Sequence, residues 1–217
     1  MLLIWGFRIR FRTTATLEFF CPRCGGDRLG DLRTARRWLT VFWVPLIPLK
    51  EAGEVVECAT CRSRFEPAVA DQLTTVALSM VLANAVRALT AMIVRTGDQH
   101  DGAVRTTAVA DIRRAIDGYD DTTLSSDVAA MEPWQAAQYV GPLAAGLQVA
   151  GKERLLADLV GVALAGGTVT DDQRRVVDLA GRGLGLTPAH VTGIVASVAA
   201  ARTPEPHPPA DDPAPGA

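Results

Sequence analysis

The amino-acid sequence predicts a mainly α protein, in which a small β domain comes before an all-α bundle of helices. Two observations lead to this fold class. All four cysteines lie within the first 61 residues, and aromatic and β-branched residues, which favour strands, are concentrated between them. From Pro67 onward, apolar residues recur at helical spacing and capping residues mark helix starts. We therefore expect domains at 1–66 and 67–200, and a disordered Pro-rich tail at 201–217.

Charge is distributed unevenly along the 217 residues, which carry a formal net charge of −2. Residues 1–66 contain 11 Lys or Arg and 7 Asp or Glu. Residues 67–200 contain 10 Lys or Arg and 14 Asp or Glu. A basic first domain and an acidic second domain are expected to present different surfaces. The first residues lack the charged start of a signal peptide, and their apolar run ends at Arg8. We therefore expect a cytoplasmic protein, in a compartment where structural disulfides are disfavoured.

Two apolar segments raise the question of a membrane span. The stretch RRWLTVFWVPLIPLKE, at 36–51, is shorter than the roughly 20 apolar residues that a span needs, and Pro45 and Pro48 would interrupt a helix. Its residue types favour strands instead. The second segment, 72–94, contains one charge, Arg87, and its polar residues fall loosely on one side at helical spacing. We expect it to form the central helix of a bundle, and no membrane span.

The cysteines form two C-x2-C pairs, and this spacing is the clearest chemical signal in the sequence. Cys21 and Cys24 form the first pair, and Cys58 and Cys61 form the second. Four thiolates arranged as two such turns can surround one Zn²⁺ tetrahedrally. A redox dithiol at CPRC and a pair of disulfides are alternatives, but the paired spacing favours one structural zinc ion. Because four sulfur ligands leave no position for water, the site is expected to be structural and not catalytic.

The first domain also resembles a bacterial family of small zinc-ribbon proteins. The resemblance covers residues 1–66 and rests on the strand IWGFRIRFRT, the knuckle CPRCG, the stretch RRWLTVFWVPLIPLK and the second C-x2-C pair. It implies that the apolar stretch completes a zinc ribbon.

Helical patterns continue through the second domain. We expect seven helices, at 68–96, 104–117, 123–131, 133–148, 151–165, 170–183 and 188–200. A shift of 65 residues aligns five positions of a weak internal repeat: Gly102, Val104, Ile112, Ala115 and Thr122 with Gly167, Val169, Val177, Ala180 and Thr187. With this repeat, residues 70–200 resemble the TerB-like family, named for tellurite resistance. With both resemblances, the predicted fold is a small β zinc ribbon followed by an all-α TerB-like bundle.

The TerB-like resemblance implies that acidic residues early in two helices bind a divalent metal. The sequence departs from that pattern, because Ala108 and Gln173 stand where the acids are expected. Four other acids could supply oxygen ligands: Asp98, Asp101, Asp171 and Asp172. Their position at helix starts also agrees with a simple electrostatic role.

These patterns together predict a non-enzymatic, zinc-binding adaptor or sensing protein, since no catalytic constellation is visible. The family resemblance implies a role in tellurite resistance or a general stress response, with a protein partner. The alternative is a nucleic-acid-binding protein that uses the basic ribbon. In that case the contacting residues would be Arg8, Arg10, Arg12, Arg36 and Arg37.

Overall fold

The computed structural model describes residues 5–41 and 44–202, and the chain divides into two compact units, Met1–Val81 and Leu82–Ala217. The first unit contains a four-stranded antiparallel sheet. Its strands are β1 (Trp5–Cys21), β2 (Gly26–Val41), β3 (Val44–Cys58) and β4 (Arg64–Phe65). The predicted domain boundaries, which differ from this division, stay a prediction. The predicted tail lies outside the described residues from 203 onward, as do Phe42 and Trp43.

The predicted fold class is wrong, because the β part is not small. Strands β1, β2 and β3 contain 17, 16 and 15 residues, and strands make up 25% of the structure against 56% helix. A large antiparallel sheet followed by segregated helices is an α+β arrangement, not a mainly α chain with a small ribbon. The sequence analysis underestimated the length of the strands. The first cysteine knuckle joins β1 to β2, and these strands stay paired as far as Trp5 and Val41, well beyond the knuckle itself.

Neighbouring strands follow the chain order β1-β2-β3-β4, so β1 is an edge strand over its whole length. The β1–β2 pairing shifts register once, between Thr13 and Ala15. The β2–β3 pairing shifts in three places, and β4 covers only Val56 and Glu57 of β3. The β1 side of the sheet is therefore more regular than the β3 side.

The core of the first unit lies at the knuckle end of the sheet. Phe19, Val56 and the buried sulfurs form its centre, and Val69 covers them from a short 3-10 helix, Pro67–Asp71. The rings of Phe19 and Phe65 meet edge to face, with 6.0 Å between centroids. Gly30 faces Phe19 so closely that an added Cβ would lie 2.5 Å from the ring. Glycine at this position is therefore a packing requirement.

Seven α-helices follow the sheet in the described chain. They are α1 (Thr75–Thr96), α2 (Gly102–Arg113), α3 (Asp121–Ala130), α4 (Pro133–Gly146), α5 (Val149–Ala163), α6 (Asp171–Gly183) and α7 (Pro188–Arg202). The predicted helical bundle is thus confirmed, with helix bounds shifted by a few residues. The first predicted helix is interrupted, because the 3-10 helix ends at Asp71 and α1 begins at Thr75.

Helix α5 is the centre of the second unit, where it packs against α2, α6 and α7. Leu156, Val160 and Ile112 are fully buried there. The first turn of α6 is fixed by a capping box. Gln173 accepts a hydrogen bond from the Thr170 N–H at 3.0 Å, and its own N–H donates to the Thr170 hydroxyl oxygen. The buried Gln173 amide also donates to the Ile93 carbonyl oxygen at 3.2 Å, which ties α6 to α1.

Helix α1 is, among the described residues, the one helix long and apolar enough to cross a membrane by length and composition, with a mean hydropathy of 1.8. Eight of its residues are buried, and all of them lie in the second unit between Ala85 and Val94. A core helix of a soluble bundle has the same composition. The expectation that no span exists stays a prediction.

Arg87, the charge within this apolar helix, pairs with a buried carboxylate. Its guanidinium donates to both oxygens of Asp127 at 2.6 and 2.5 Å, and the Tyr119 hydroxyl donates to the same carboxylate at 2.6 Å. Asp127 is only 5% exposed. Burial acts to raise the pKa of Asp127, but the hydrogen bonds from Arg87 and Tyr119 outweigh it and hold that pKa below its usual value. The polar stripe on α1 therefore serves an interhelical ion pair.

We expect Gly30→Ala to destabilise the sheet by about 1–3 kcal/mol, because the new methyl group overlaps the buried Phe19 ring. Gly26→Ala is the matched control, since its Cβ would meet only an arginine tip at 3.6 Å. Hydrogen exchange of the β2 and β3 amides in the full chain measures the effect. Equal protection in the two variants would contradict the packing explanation.

We expect Asp127→Asn to destabilise the second unit by about 1.5–3 kcal/mol at neutral pH, because charged hydrogen bonds to Arg87 are lost. Asp178→Asn is the control, since Asp178 makes a half-exposed ion pair with Arg174. Because the pKa of Asp127 is lowered in the folded protein, its ionised carboxylate stabilises the fold at pH values above the unfolded carboxyl pKa of about 3.9. This stabilisation is lost as the pH falls through the folded pKa of Asp127. The difference in melting temperature between the wild type and Asp127→Asn should therefore shrink as the pH is lowered from 7 to 3. A difference that stays constant would contradict the role of the ionised Asp127 carboxylate.

Candidate metal centre

Two matching turns bring the four cysteines together at one end of the sheet. The first turn joins β1 to β2, and the Gly25 N–H donates to the Cys21 carbonyl at 2.9 Å. The second turn joins β3 to β4, and the Arg62 N–H donates to the Cys58 carbonyl at 3.0 Å. Both turns place the residue after their second cysteine in the left-handed region, with φ of 68° at Gly25 and 59° at Arg62. Arg62 therefore occupies a conformation that favours glycine.

The sulfur atoms form a compact group. All four Sγ atoms lie within 4.8 Å of one another, and those of Cys21 and Cys61 are 3.8 Å apart. Four sulfurs placed tetrahedrally about 2.3 Å from a zinc ion would be separated by about 3.8 Å. A disulfide would need about 2.05 Å, and all four cysteines are free thiols. The donor set and its spacing therefore fit one tetrahedral metal ion, as the sequence predicted.

The surroundings of the thiols are unequal. Burial and hydrogen bonds with the neighbouring thiols raise the pKa of Cys24 to about 12. Hydrogen bonds from the side chain and backbone of Ser63 lower the pKa of Cys61 to about 6. These contacts with Ser63 favour the thiolate form of Cys61. Metal binding requires the thiolate form of each ligand.

A hydrogen bond between side chains also crosses the site from one turn to the other. The Arg23 guanidinium, inside the first turn, donates to the Ser63 hydroxyl oxygen at 2.7 Å, and Ser63 in turn hydrogen-bonds Cys61. Such outer contacts orient metal ligands and tune their basicity. Arg23 and Ser63 were not singled out from the sequence, because the residues lie 40 positions apart and only the fold brings them together.

The first turn is also connected to the start of α1. Asp27 lies three residues after Cys24 and accepts hydrogen bonds from the N–H groups of Thr75 and Val76, at 2.9 and 3.3 Å. These bonds, led by the one from the Thr75 backbone, hold the pKa of Asp27 below its usual value. Asp27 therefore acts as a helix cap supplied from outside the helix.

A buried carboxylate lies directly beside the second turn. Glu57, one residue before Cys58, is 7% exposed and accepts hydrogen bonds from Arg64 at 2.9 Å and Arg33 at 3.0 Å. The bond from Arg64 does most to hold the pKa of Glu57 below its usual value. Arg62 approaches the same carboxylate at 3.8 Å. The sequence analysis missed this cluster, because only Arg62 and Arg64 lie near Glu57 in the sequence, whereas Arg33 is 24 positions away on β2.

The arginines predicted to contact nucleic acid do not share one surface. Cross-strand neighbours lie on the same face of a sheet, and Arg10 pairs with Arg36, whereas Ile9 pairs with Arg37. Arg8, Arg10, Arg12 and Arg36 are therefore on one face. Arg37 is on the other, with its guanidinium 5.4 Å from the centre of the Phe7 ring. The structure brings together four of the five predicted residues.

Three of the four acidic residues considered for a second metal ion have other partners, and the fourth, Asp171, is exposed in the first turn of α6. Asp101 caps α2 by accepting from the Ala103 and Val104 N–H groups at 2.8 and 3.1 Å. Asp98 accepts from the His100 N–H, and Asp172 pairs with Arg175. Within residues 5–41 and 44–202, the four cysteines are the one group of three or more potential ligands that lie together. The alternative of a second metal site gains no support.

No protein-family model, curated protein or solved structure matches this chain. The resemblances to the zinc-ribbon and TerB-like families therefore stay predictions. The role in tellurite resistance or stress that the second resemblance implies has no support beyond it.

We expect Gly25→Ala to destabilise the metal-loaded first unit by about 1–2 kcal/mol, because the left-handed conformation at φ 68° disfavours a Cβ. Arg62→Gly is the opposite change at the matching position. It relieves the same strain and loses only a weak contact with Glu57 at 3.8 Å, so it should not destabilise. Thermal unfolding with saturating zinc compares the stability of the two variants. A greater loss of stability in Arg62→Gly than in Gly25→Ala would contradict the equivalence of these two positions in the turns.

Proposed function

We propose that the protein is a non-enzymatic adaptor whose sheet is held in shape by one structural zinc ion. The observation that carries the proposal is the group of four free thiols, all within 4.8 Å, supplied by two turns that are 33 residues apart in sequence. Bound zinc would supply a cross-link between the β1–β2 and β3–β4 turns. Cys21, Cys24, Cys58 and Cys61 would be its four ligands.

The first unit has a small apolar cluster beside these turns. The buried residues of this cluster are Phe19, Val56, Val69 and two of the cysteines themselves. Small domains with little buried apolar surface commonly depend on a metal for stability. The thiols are part of this core, so without metal their burial would leave the knuckle end poorly specified. Metal binding and folding of the sheet should therefore be coupled.

A structural role agrees with the donor set better than a catalytic one. Four sulfur ligands complete a tetrahedron and leave no position for a reacting water molecule. The neighbouring charged groups are engaged in pairs, as Glu57 is with Arg33 and Arg64. The long sheet then remains as the surface on which a partner can bind. A cytoplasmic location would agree with free thiols and zinc, because structural disulfides are disfavoured there.

We expect the purified full chain to contain one zinc ion and Cys58→Ser to contain none. Thr60→Ser is the matched control, because Thr60 is exposed in the same turn and offers no thiol. Elemental analysis gives the metal content, and hydrogen exchange gives the consequence. Amides of β1, β2 and β3 should lose protection in Cys58→Ser, whereas those of α5 and α6 should keep it. A zinc-free wild-type chain with a fully protected sheet would overturn the proposal.

Nucleic-acid binding is the second candidate function. It is favoured by one observation, the four arginines that share one face of the sheet. Phosphate contacts of this kind produce affinities that fall steeply with salt. Titration of the zinc-loaded chain with a single-stranded oligonucleotide at two salt concentrations tests it. Salt-sensitive binding that is lost in Arg10→Glu would support this candidate, and no binding at low salt would eliminate it.

A further inference from the structure

The two outer edges of the sheet differ in their capacity to accept another strand. The β3 edge contains Pro45 and Pro48, which lack an N–H, and its pairing shifts register at three places. Prolines and irregularities of this kind are devices that block strand addition. The β1 edge contains no proline between Trp5 and Cys21, and from Trp5 to Thr13 its register is continuous. The β1 edge is therefore open to a further strand.

The outer half of β1 is exposed and has two chemically distinct faces. All ten residues from Phe7 to Thr16 are exposed, including Ile9 at 54% and Phe11 at 38%. Ile9 and Phe11 lie on one face, and Arg8, Arg10 and Arg12 alternate with them on the other. These three arginines make no ion pair within the described part of the chain. A row of exposed like charges therefore lies on one face, and the apolar row lies on the other, where the Arg64 guanidinium is 4.3 Å from the centre of the Phe11 ring.

This pattern disfavours a second copy of the chain as the occupant of the edge. Two β1 strands paired with each other would place arginines beside arginines on one face of the joined sheet, and like charges in cross-strand positions are destabilising. Acidic residues in the same positions would be attracted instead. On the opposite face, apolar residues of the added strand would pack beside Ile9 and Phe11. The charge pattern therefore selects a strand with alternating acidic and apolar residues.

We propose that the free edge of β1, from Gly6 to Thr13, binds an extended protein segment in which acidic and apolar residues alternate. Every second residue of β1 directs its N–H and C=O groups to this edge, so main-chain hydrogen bonds join the segment to the sheet. Arg8, Arg10 and Arg12 bind its acidic side chains, and the apolar row binds the alternate positions. The inference rests on the proposed adaptor function, and it names the class of partner.

The test uses the zinc-loaded full chain and a fluorescent nine-residue peptide in which glutamate and valine alternate. Two control peptides accompany it: one of the same composition with the glutamates in one block, and one with lysine in place of glutamate. Fluorescence anisotropy should show saturable binding of the alternating acidic peptide alone. Hydrogen exchange should show new protection of the Gly6–Thr13 amides and none along β3.

Matched variants identify the edge. Arg10→Glu should weaken binding of the acidic peptide by about tenfold or more, because an attraction becomes a repulsion. Lys50→Glu makes the same charge change on the β3 edge, where Lys50 is exposed, and should leave binding within about twofold. The triple variant at Arg8, Arg10 and Arg12 with glutamate should instead bind the lysine peptide. This exchange of specificity requires a folded edge, so it excludes unfolding as the cause.

Four outcomes would overturn the inference. They are absence of binding to a zinc-loaded, folded chain, equal binding of the block peptide, displacement of the peptide by a tighter-binding oligonucleotide, and a wild-type dimer that Arg10→Glu dissociates. Zinc content measured on the same samples separates this inference from the proposed function. A chain without zinc contradicts the metal-stabilised adaptor itself, whereas a zinc-loaded chain that ignores the peptide contradicts only the assignment of the β1 edge.

Discussion

The close approach of four thiols at one end of the sheet is the constraint on which the first unit depends. Two turns from distant parts of the chain place these sulfurs within 4.8 Å, and two of them are buried beside Phe19 and Val56. Each turn starts or ends a strand of 15 residues or more. Holding the turns together therefore sets the pairing of β1, β2 and β3. The exposed outer half of β1, far along the same hairpin, inherits its register from this end.

Buried carboxylates paired with arginines add a second constraint in each unit. Glu57 receives hydrogen bonds from Arg33 and Arg64 beside the second turn, and Asp127 receives them from Arg87 and Tyr119 in the bundle. Removing one partner of such a pair leaves a buried charge uncompensated, which costs several kcal/mol. These pairs fix which strands and helices are neighbours. They stand in contrast to Arg8, Arg10 and Arg12, which remain exposed along the sheet edge.

The sequence predicted features carried by local patterns and missed those produced by distant contacts. The C-x2-C spacing identified the four cysteines that the fold brings together, and helix starts such as Thr170 and Pro188 set the bundle bounds within a few residues. The length of the sheet was underestimated, because pairing of β1 with β2 as far as Trp5 and Val41 is not visible in either strand alone. The Arg23–Ser63 bond and the Arg87–Asp127 pair each span 40 residues, a separation for which sequence patterns give no signal.

X-ray absorption at the zinc edge of the purified full chain shows whether all four cysteines bind one metal ion. A closed four-cysteine site should give four sulfur neighbours about 2.3 Å from the metal and no lighter ligand. This result would assign all four cysteines to one closed structural site. A site with fewer than four sulfurs and a nitrogen or oxygen neighbour, or sulfurs joined as disulfides with no metal bound, would contradict it.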